Sequence, residues 1–539
     1  MGTKRAPVAH TAQDEIATLT RGRRLIVVTN RGPVEFHREA GGKLVARSGP
    51  GGVVTALASL ASTTPLTWVA VTLTEGDREA FPTPQTPARR TRVGAQPIRV
   101  RYTPVAPDVQ RMHYDEVSNG VLWFLQHYMW DIANTPNFTE RQHRAWDEGY
   151  RAVNQAIAQT VIEEATADGP PDGSGAIILL QDYQLYLAPA MIRERLPRAT
   201  IQQFIHIPWP AMRYWEFLPQ RMLDDIFTGL AANDVLGFQT EPDVRNFLVC
   251  AQMFLPGCQM DFTRSLVTCR KHKLLAHAYP IPVDADEARR SLTSAAGRRG
   301  AQEIVALLGD TGAAAEQRLI VRVDRLEPTK NIVRGFKAFE ALLRDHEELR
   351  GRVRFLAFLI PSRQGLAIYR RYDREVRALI KRINTAYGTS GWQPVTVFFE
   401  NNRPRALAAL RRCDVLLVNP VIDGMNLVVK EGAAVNEVHS VAILSRTAGA
   451  DTQMADATLA VTATDIEETT AQLYRALTMD GAERALLAER ARAIAEAETP
   501  TDWALAQLRD AARTHRVRHV AHAAQAHAGQ AHRATPRAG

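Results

Sequence analysis

Short apolar runs closed by polar residues, with amphipathic stretches between them, recur along most of the chain, and this alternation leaves few choices of fold. LIVVTN (25–30), AIILLQD (176–182), TIQQFIHI (200–207) and DVLGFQT (234–240) form one series. LIVRVDR (319–325), VRFLAFLIP (353–361), PVTVFFEN (394–401), DVLLVNP (414–420) and VAILSR (441–446) form a second. Runs that are apolar nearly throughout suit strands of a parallel sheet, which is covered on both faces. Helical patterns at 142–165 and 184–196, then at 332–346, 365–388, 404–412 and 466–478, supply the covering layers. Two such series in 539 residues imply two doubly wound α/β domains, because a single core does not grow that large. The expected order is a disordered leader (1–22), a first domain (23–280), a second domain (281–480), a helical segment (481–514) and a disordered tail (515–539). The domain boundary is set by the two prolines of AYPIPVDAD (278–286).

Composition narrows the function less than the fold. No run of about 18 apolar residues occurs, so no membrane-spanning helix is expected. The polar, basic start lacks the apolar stretch of a secretory signal, and a cytoplasmic location follows as the default. The net charge of +8 gathers largely at the two ends, without a basic stripe carrying interleaved aromatics. Neither a nucleic-acid nor a membrane partner is therefore expected, and a homo-oligomer is compatible with the sequence. Cys250, Cys258, Cys269 and Cys413 show no paired or zinc-ligand spacing and are expected as thiols rather than disulfides. His515, His519, His522, His527 and His532 lie in the tail without acidic or cysteine companions, which favours a solvated segment over a metal site. No cofactor and no metal are expected.

In α/β sheets ligands gather at the carboxyl ends of the strands, so the residues just after each run are the candidates. The strongest is NPVIDGMNLVVKEGAA (419–434). Asp423 and Gly424 make a turn, and Met425, Asn426, Leu427 and Val428 open a helix whose unpaired N–H groups suit a phosphate. Glu431, about one turn on, is placed to accept from ribose hydroxyls. In RVDRLEPTKNI (322–332), Arg325 and Lys330 are two cations that can neutralise a diphosphate leaving group without a metal ion. In the first series, Arg31 of TNRGPV meets an anionic acceptor, while Asp182 of QDYQL and His206 of HIPWP stand at strand ends, suited to sugar hydroxyls. Gly51 and Gly52, in SGPGGV, permit close approach of a ligand but have no dinucleotide or Walker spacing. Tyr114, Trp123 and Tyr128 are aromatics that can stack on a sugar ring, and Arg363 of LIPSRQG can meet an acceptor phosphate. Asp224 and Asp225 read as helix surface rather than a metal clamp.

With TNRGPV, the Gly51–Gly52 pair, SNGVLW, DYQL, HIPWP, VLGFQT, VDRLEPTKN, PSR, INTAYG and DGMNLVVKE in this order, the chain resembles the trehalose-6-phosphate synthase family of retaining GT-B glycosyltransferases from about Arg24 to Leu477. The resemblance implies two Rossmann-like domains facing an interdomain cleft. It implies a nucleotide-sugar site of Gly51, Gly52, His206, Arg325, Lys330, Asp423, Gly424, Met425, Asn426, Leu427, Val428 and Glu431. Glucose 6-phosphate would be held by Arg31, Tyr114, Trp123, Asp182 and Arg363. Transfer would proceed with retention and without a protein nucleophile or metal, with Arg325, Lys330, Asp182 and His206 as the catalytic group. The chain departs from the family pattern at Val71, Gln184, Trp209, Asn331 and Ile422. Gln184, Trp209 and Asn331 also resemble a related pseudo-glycosyltransferase branch that joins aminocyclitols from a GDP-activated cyclitol. On that ground GDP-glucose is favoured over UDP-glucose as donor, with the cyclitol-joining reaction as the alternative. A non-catalytic sugar-phosphate sensor is the reading from another class.

Overall fold

The computed structural model describes residues 11–39, 41–48, 54, 57, 59–93, 96–308 and 317–514. Gly51, Gly52 and the histidine-bearing tail therefore lie outside the described residues. The chain divides into two compact units. The first comprises the chain to Gln126, Trp130–Tyr279 and the residues from Pro500; the second comprises His127–Met129 and Pro280–Thr499.

The strands of the first unit are β1 (Arg24–Val28), β2 (Val34–Arg38), β3 (Leu44–Ser48), β4 (Leu66–Val71), β5 (Arg89–Val93), β6 (Gln96–Thr103), β7 (Ala176–Gln181), β8 (Thr200–Phe204), β9 (Val235–Phe238), β10 (Cys258–Asp261), β11 (Leu266–Cys269) and β12 (His272–Ala278). Those of the second are β13 (Arg318–Leu326), β14 (Val353–Pro361), β15 (Val395–Phe398), β16 (Val415–Val418), β17 (Val441–Ser445) and β18 (Leu459–Val461).

Among the described residues the first unit's main sheet runs β10-β11-β12-β9-β8-β7-β1-β4-β6-β5, and β2 pairs with β3 as a separate hairpin. From β12 through β6 every pairing is parallel. Antiparallel strands close the two edges. The second unit's sheet, β15-β14-β13-β16-β17-β18, is parallel throughout. Numbered by their own order, its strands run 3-2-1-4-5-6, and the parallel strands of the first sheet follow the same winding. The chain thus reverses direction across each sheet once, at β1/β7 and at β13/β16.

The apolar runs become these strands because both faces are covered. Leu25, Ile26, Val27 and Val28 are all fully buried, and so are Ile320 and Val321. The helix Ala152–Thr166 presses Val153, Ile157 and Val161 onto the first sheet. The helix Ile332–Asp345 presses Phe336, Phe339 and Leu342 onto the second.

Three expectations change. Part of the expected leader is ordered: Thr11 and Asp14 form a capping box at the start of the helix Ala12–Thr20, and Ile16 is fully buried. The terminal helical segment is two helices, Gly481–Glu496 in the second unit and 500–514 in the first. Finally, Cys258 and Cys269 stand opposite each other on β10 and β11 and form a disulfide, while Cys250 and Cys413 are buried thiols. The hairpin register brings the first pair together, which sequence spacing alone does not reveal. Among the described residues no helix is long and apolar enough to cross a membrane.

Candidate functional site

The reversal between β13 and β16 is where a doubly wound sheet leaves a crevice beyond its strand ends, and charged side chains collect there. After β13 the chain turns through Pro328–Lys330. The Lys330 ammonium pairs with the Asp423 carboxylate, which arrives on the loop after β16. Asp423 also accepts from Gly424 N and Asn426 Nδ2, each at 3.1 Å. Burial alone would raise the Asp423 carboxyl, but the Lys330 charge holds it below the usual carboxylate range.

Beneath this pair Arg322 is fully buried. Its guanidinium donates to Asp324 Oδ2 and Asn419 Oδ1, each at 2.8 Å, and to the Lys330 carbonyl. A buried cation with its donors satisfied is a rigid support, and this one ties both ligand-side loops to their strands. Gly335 makes room for it: a Cβ there would stand 2.4 Å from Arg322 Nη1.

Arg325 is half-exposed and pairs with Glu327 Oε1 at 2.9 Å. The fully buried Glu327 carboxylate also meets Arg363 Nη1 at 3.3 Å. Arg363 in addition donates to the Tyr369 hydroxyl at 2.7 Å, so its guanidinium is folded onto its own unit. Asn331 takes up a left-handed backbone with φ of 58°. Glycine, the family's residue at that place, adopts this conformation freely and asparagine tolerates it. The Asn331 amide then donates to the carbonyls of Asn419 and Ala463 at 2.9 and 2.6 Å. The departure from the family pattern is thus absorbed locally.

The helix of the DGMN motif spans Leu427–Val435, with Asn426 as its left-handed N-cap. Met425 and Asn426 precede the helix rather than open it, a shift from the expected start. Its first-turn N–H groups are the unpaired donors that suit a phosphate. Glu431 sits one turn in, paired with Arg403 Nη2 at 2.9 Å and Nε at 3.1 Å. Arg403 also meets Glu287 at 2.8 Å. Burial raises the Glu431 carboxyl above the usual range, against the pull of Arg403.

The first unit has its own cluster at β1/β7. Asn30 and Arg31 follow β1; Arg31 is half-exposed and pairs with Glu35. Asn30 Oδ1 lies 3.1 Å from His113 Nε2, and burial lowers the His113 imidazole to about 3, so that ring is neutral. Asp182 ends β7 with φ of 72° and ψ of 179°. That conformation is almost confined to glycine and costs about 1–3 kcal/mol, a form of strain that gathers at functional sites. Its backbone N–H donates to the Phe204 carbonyl at 2.7 Å, and its Oδ1 accepts the His206 N–H at 3.1 Å. His206 Nε2 lies 2.9 Å from Gln181 Oε1, and burial lowers this imidazole to about 3. His206 is therefore a neutral hydrogen-bonding group at physiological pH.

Other singled-out residues are packing elements. Trp123 is buried against Tyr183 at 5.9 Å between ring centroids, whereas Tyr114 is half-buried. Val71 belongs to the apolar core. Trp209 is stacked on Trp215 at 4.5 Å and edge-on to Phe227, Phe238 and Phe247, so its indole fills a core rather than a ligand site. Asp225 accepts from Trp146 Nε1 at 2.9 Å and from Arg151.

Arg322, Glu327 and Arg403 escape detection from sequence. Arg322 and Glu327 lie inside RVDRLEPTKNI (322–332), and their charge at an otherwise buried strand end is the available signal. Arg403 had none, because its partners Glu287 and Glu431 are remote in sequence.

The sequence profile described as glycosyltransferase family 20 matches residues 23–513. The chain is 30% identical over 467 residues to a bifunctional trehalose-6-phosphate synthase/phosphatase of Thermoproteus tenax, covering 85% of this chain and 59% of that longer protein. It is 30% identical over 446 residues to a trehalose-6-phosphate synthase of Mycolicibacterium paratuberculosis, covering 80% and 84%. The structure superposes with a TM-score of 0.75 and 26% identity on an α,α-trehalose-phosphate synthase (UDP-forming) from Burkholderia xenovorans in complex with glucose-6-phosphate, over 90% of this chain and 99% of that one.

Proposed function

The chain belongs to glycosyltransferase family 20 and has the GT-B fold, and from that premise we propose that it is an α,α-trehalose-6-phosphate synthase. It transfers glucose, with retention, from a nucleoside diphosphate glucose to glucose 6-phosphate. The observation that carries this reading is the charge arrangement at β13/β16. Lys330, on a loop braced by Arg322, pairs with Asp423 just ahead of the Leu427–Val435 helix, and Arg325 at the end of β13 is close enough to help hold the Asp423 carboxyl down.

In this reading the helix start (424–428), Arg325 and Lys330 hold the diphosphate, and Asp423 keeps Lys330 in place. Glu431 accepts from the ribose. Gly51 and Gly52 are proposed as donor contacts on the sequence resemblance alone. His206, neutral, gives the transferred sugar a hydrogen bond without adding charge. Asp182 orients sugar hydroxyls, and Arg31, Tyr114 and Arg363 hold the acceptor; Trp123, buried against Tyr183, acts as packing on the first unit's side. The bond from glucose C1 to the β-phosphate oxygen breaks as the bond from C1 to the acceptor's anomeric oxygen forms. The acceptor proton passes to the departing phosphate, and the two cations stabilise the charge that develops there.

Of the three departures that favoured GDP-glucose and the cyclitol-joining alternative, Trp209 is core and Asn331 is a backbone accommodation. Gln184 remains as their support. The test is nucleoside diphosphate release from UDP-, GDP- and ADP-glucose, with and without glucose 6-phosphate and without added metal. Acceptor-dependent release from one donor is the expected result and names the base. No release from any of them would overturn the synthase reading.

A further inference from the structure

The helix 500–514 returns to the first unit after the chain has completed the second, and it is fastened there by polar contacts at several points. Gln507 Oε1 accepts from Gln202 Nε2 at 2.5 Å. Asp510 accepts from the Tyr279 hydroxyl at 2.8 Å and lies 2.9 Å from His277 Nδ1. Arg509 makes a two-point pair with Glu15 at 2.7 and 2.6 Å. The largest side chain this helix buries is Trp503, which is 2% exposed and donates Nε1 to the Tyr279 carbonyl at 3.0 Å.

We propose that Trp503 is a positioning residue for His206, closing the apolar side of the imidazole so that the ring keeps one orientation toward the transferred sugar. The inference rests on the reading of His206 as a sugar contact. Trp503 stands edge-on to Phe204 at 5.1 Å and 6.4 Å from the His206 ring, and Phe204 itself lies 4.6 Å from that ring. The imidazole is thus backed by two aromatics and tethered on its polar side to Gln181 Oε1. The two rings cover the apolar side of the imidazole, and burial is the physical reason that His206 stays neutral. Charged groups on the surrounding elements are Asp182 after β7, His277 on β12, Asp243 after β9, and Asp502, Arg509, Asp510 and Arg513 on the helix. Asp182 accepts the His206 backbone N–H, Asp243 accepts the Trp209 N–H, and Asp510 is held by His277, Tyr279 and Arg513.

Removing the indole admits water and lets the imidazole protonate near its ordinary value of about 6.5. The experiment is a histidine side-chain NMR titration of the full-length protein without substrate, with His206 assigned by His206→Asn, alongside kcat/KM from pH 5.5 to 8.5. Wild-type His206 should not titrate in that range. In Trp503→Ala it should titrate near 6.5, with an acid limb that lowers kcat/KM roughly tenfold at pH 5.5, where about nine-tenths of the ring is protonated. Trp503→Phe should recover most of the loss. If Trp503→Ala does not fold, Trp503→Leu is read in the same way. An unmoved His206 titration in a folded variant overturns the proposal. That readout needs no turnover, so it stands apart from the reading of His206 as a sugar contact, which full activity in His206→Ala would count against.

Discussion

The ammonium of Lys330 and the carboxylate of Asp423 are joined across the point where the second unit's chain reverses, one from the loop after β13 and the other from the loop after β16. The Lys330 charge holds the Asp423 carboxyl down in a nearly dry place. Lys330→Ala removes a fixed cation from the diphosphate and leaves Asp423 buried without its counter-charge. The expected loss in kcat is about 10²- to 10³-fold. Unfolding stability at pH 7 should fall by about 3 kcal/mol, the usual cost of orphaning one member of a buried pair. Steady-state kinetics and urea denaturation check the two separately. A Lys330→Ala enzyme with unchanged kcat would remove this pair from the chemistry.

Arg403 holds Glu431 through both Nε and Nη2, and it has no part in the diphosphate contacts of the proposed mechanism. Arg403→Ala should therefore act on donor binding rather than on turnover, raising donor KM about tenfold with kcat nearly constant. Burial already raises the Glu431 carboxyl, and losing Arg403 raises it further. Below that raised value the acid is neutral and a poorer acceptor for ribose hydroxyls. The KM defect should accordingly be larger at pH 6 than at pH 8, which a pH series of donor KM would reveal. A defect that is flat with pH would mean that Arg403 acts on something other than the Glu431 charge.

What was legible in the sequence is the part governed by local pattern. The runs around 25–30, 176–182 and 353–361 announce buried parallel strands because nearly every position is apolar. β6 does not read as a strand because Arg99 and Arg101 interrupt its run, and the fold accommodates Arg101 by pairing it with Glu163 and Glu164 on the helix Ala152–Thr166 and with the Pro84 carbonyl. The helix Ala12–Thr20 runs against the expected disordered leader, although Thr11 and Asp14 have the spacing of a capping box. Strand-end position located Asp182, His206, Lys330 and Asp423, but it says nothing of support from afar. Arg322 bracing Lys330, Glu327 bridging Arg325 and Arg363, and Trp503 behind Phe204 all depend on pairings that only the folded chain creates.

Asp182 offers a direct reading of backbone strain. Its φ of 72° and ψ of 179° suit glycine and penalise every residue that carries a Cβ. Asp182→Gly and Asp182→Ala both discard the carboxylate that accepts from His206 N, so comparing them cancels that loss. Asp182→Gly should be more stable than Asp182→Ala by about 1–3 kcal/mol, with both inactive if Asp182 orients sugar hydroxyls. Midpoints in urea at matched slope provide the measurement. Equal midpoints would mean that the backbone relaxes at no cost.

The attachment of helix 500–514 carries a pH window of its own. The hydrogen bond to Asp510 raises the His277 imidazole above its ordinary value, and His277 in turn helps to hold the Asp510 carboxyl below its own. A raised histidine contributes stability in full below its unfolded value of about 6.5 and loses it as pH rises through the folded value. A depressed aspartate contributes above its unfolded value of about 3.9 and loses it as pH falls through the folded value. The two conditions overlap between about pH 4 and 6.5. His277→Gln should therefore destabilise the helix most near pH 5.5 and least at pH 9, where the wild-type imidazole is neutral as well. Hydrogen exchange of the amides in 500–514, compared between wild type and variant at those two pH values, isolates this element. Exchange that differs equally at both would assign the role of His277 to packing rather than to charge. In that case the Tyr279 hydroxyl, which also donates to Asp510, would be the contact that fastens the helix.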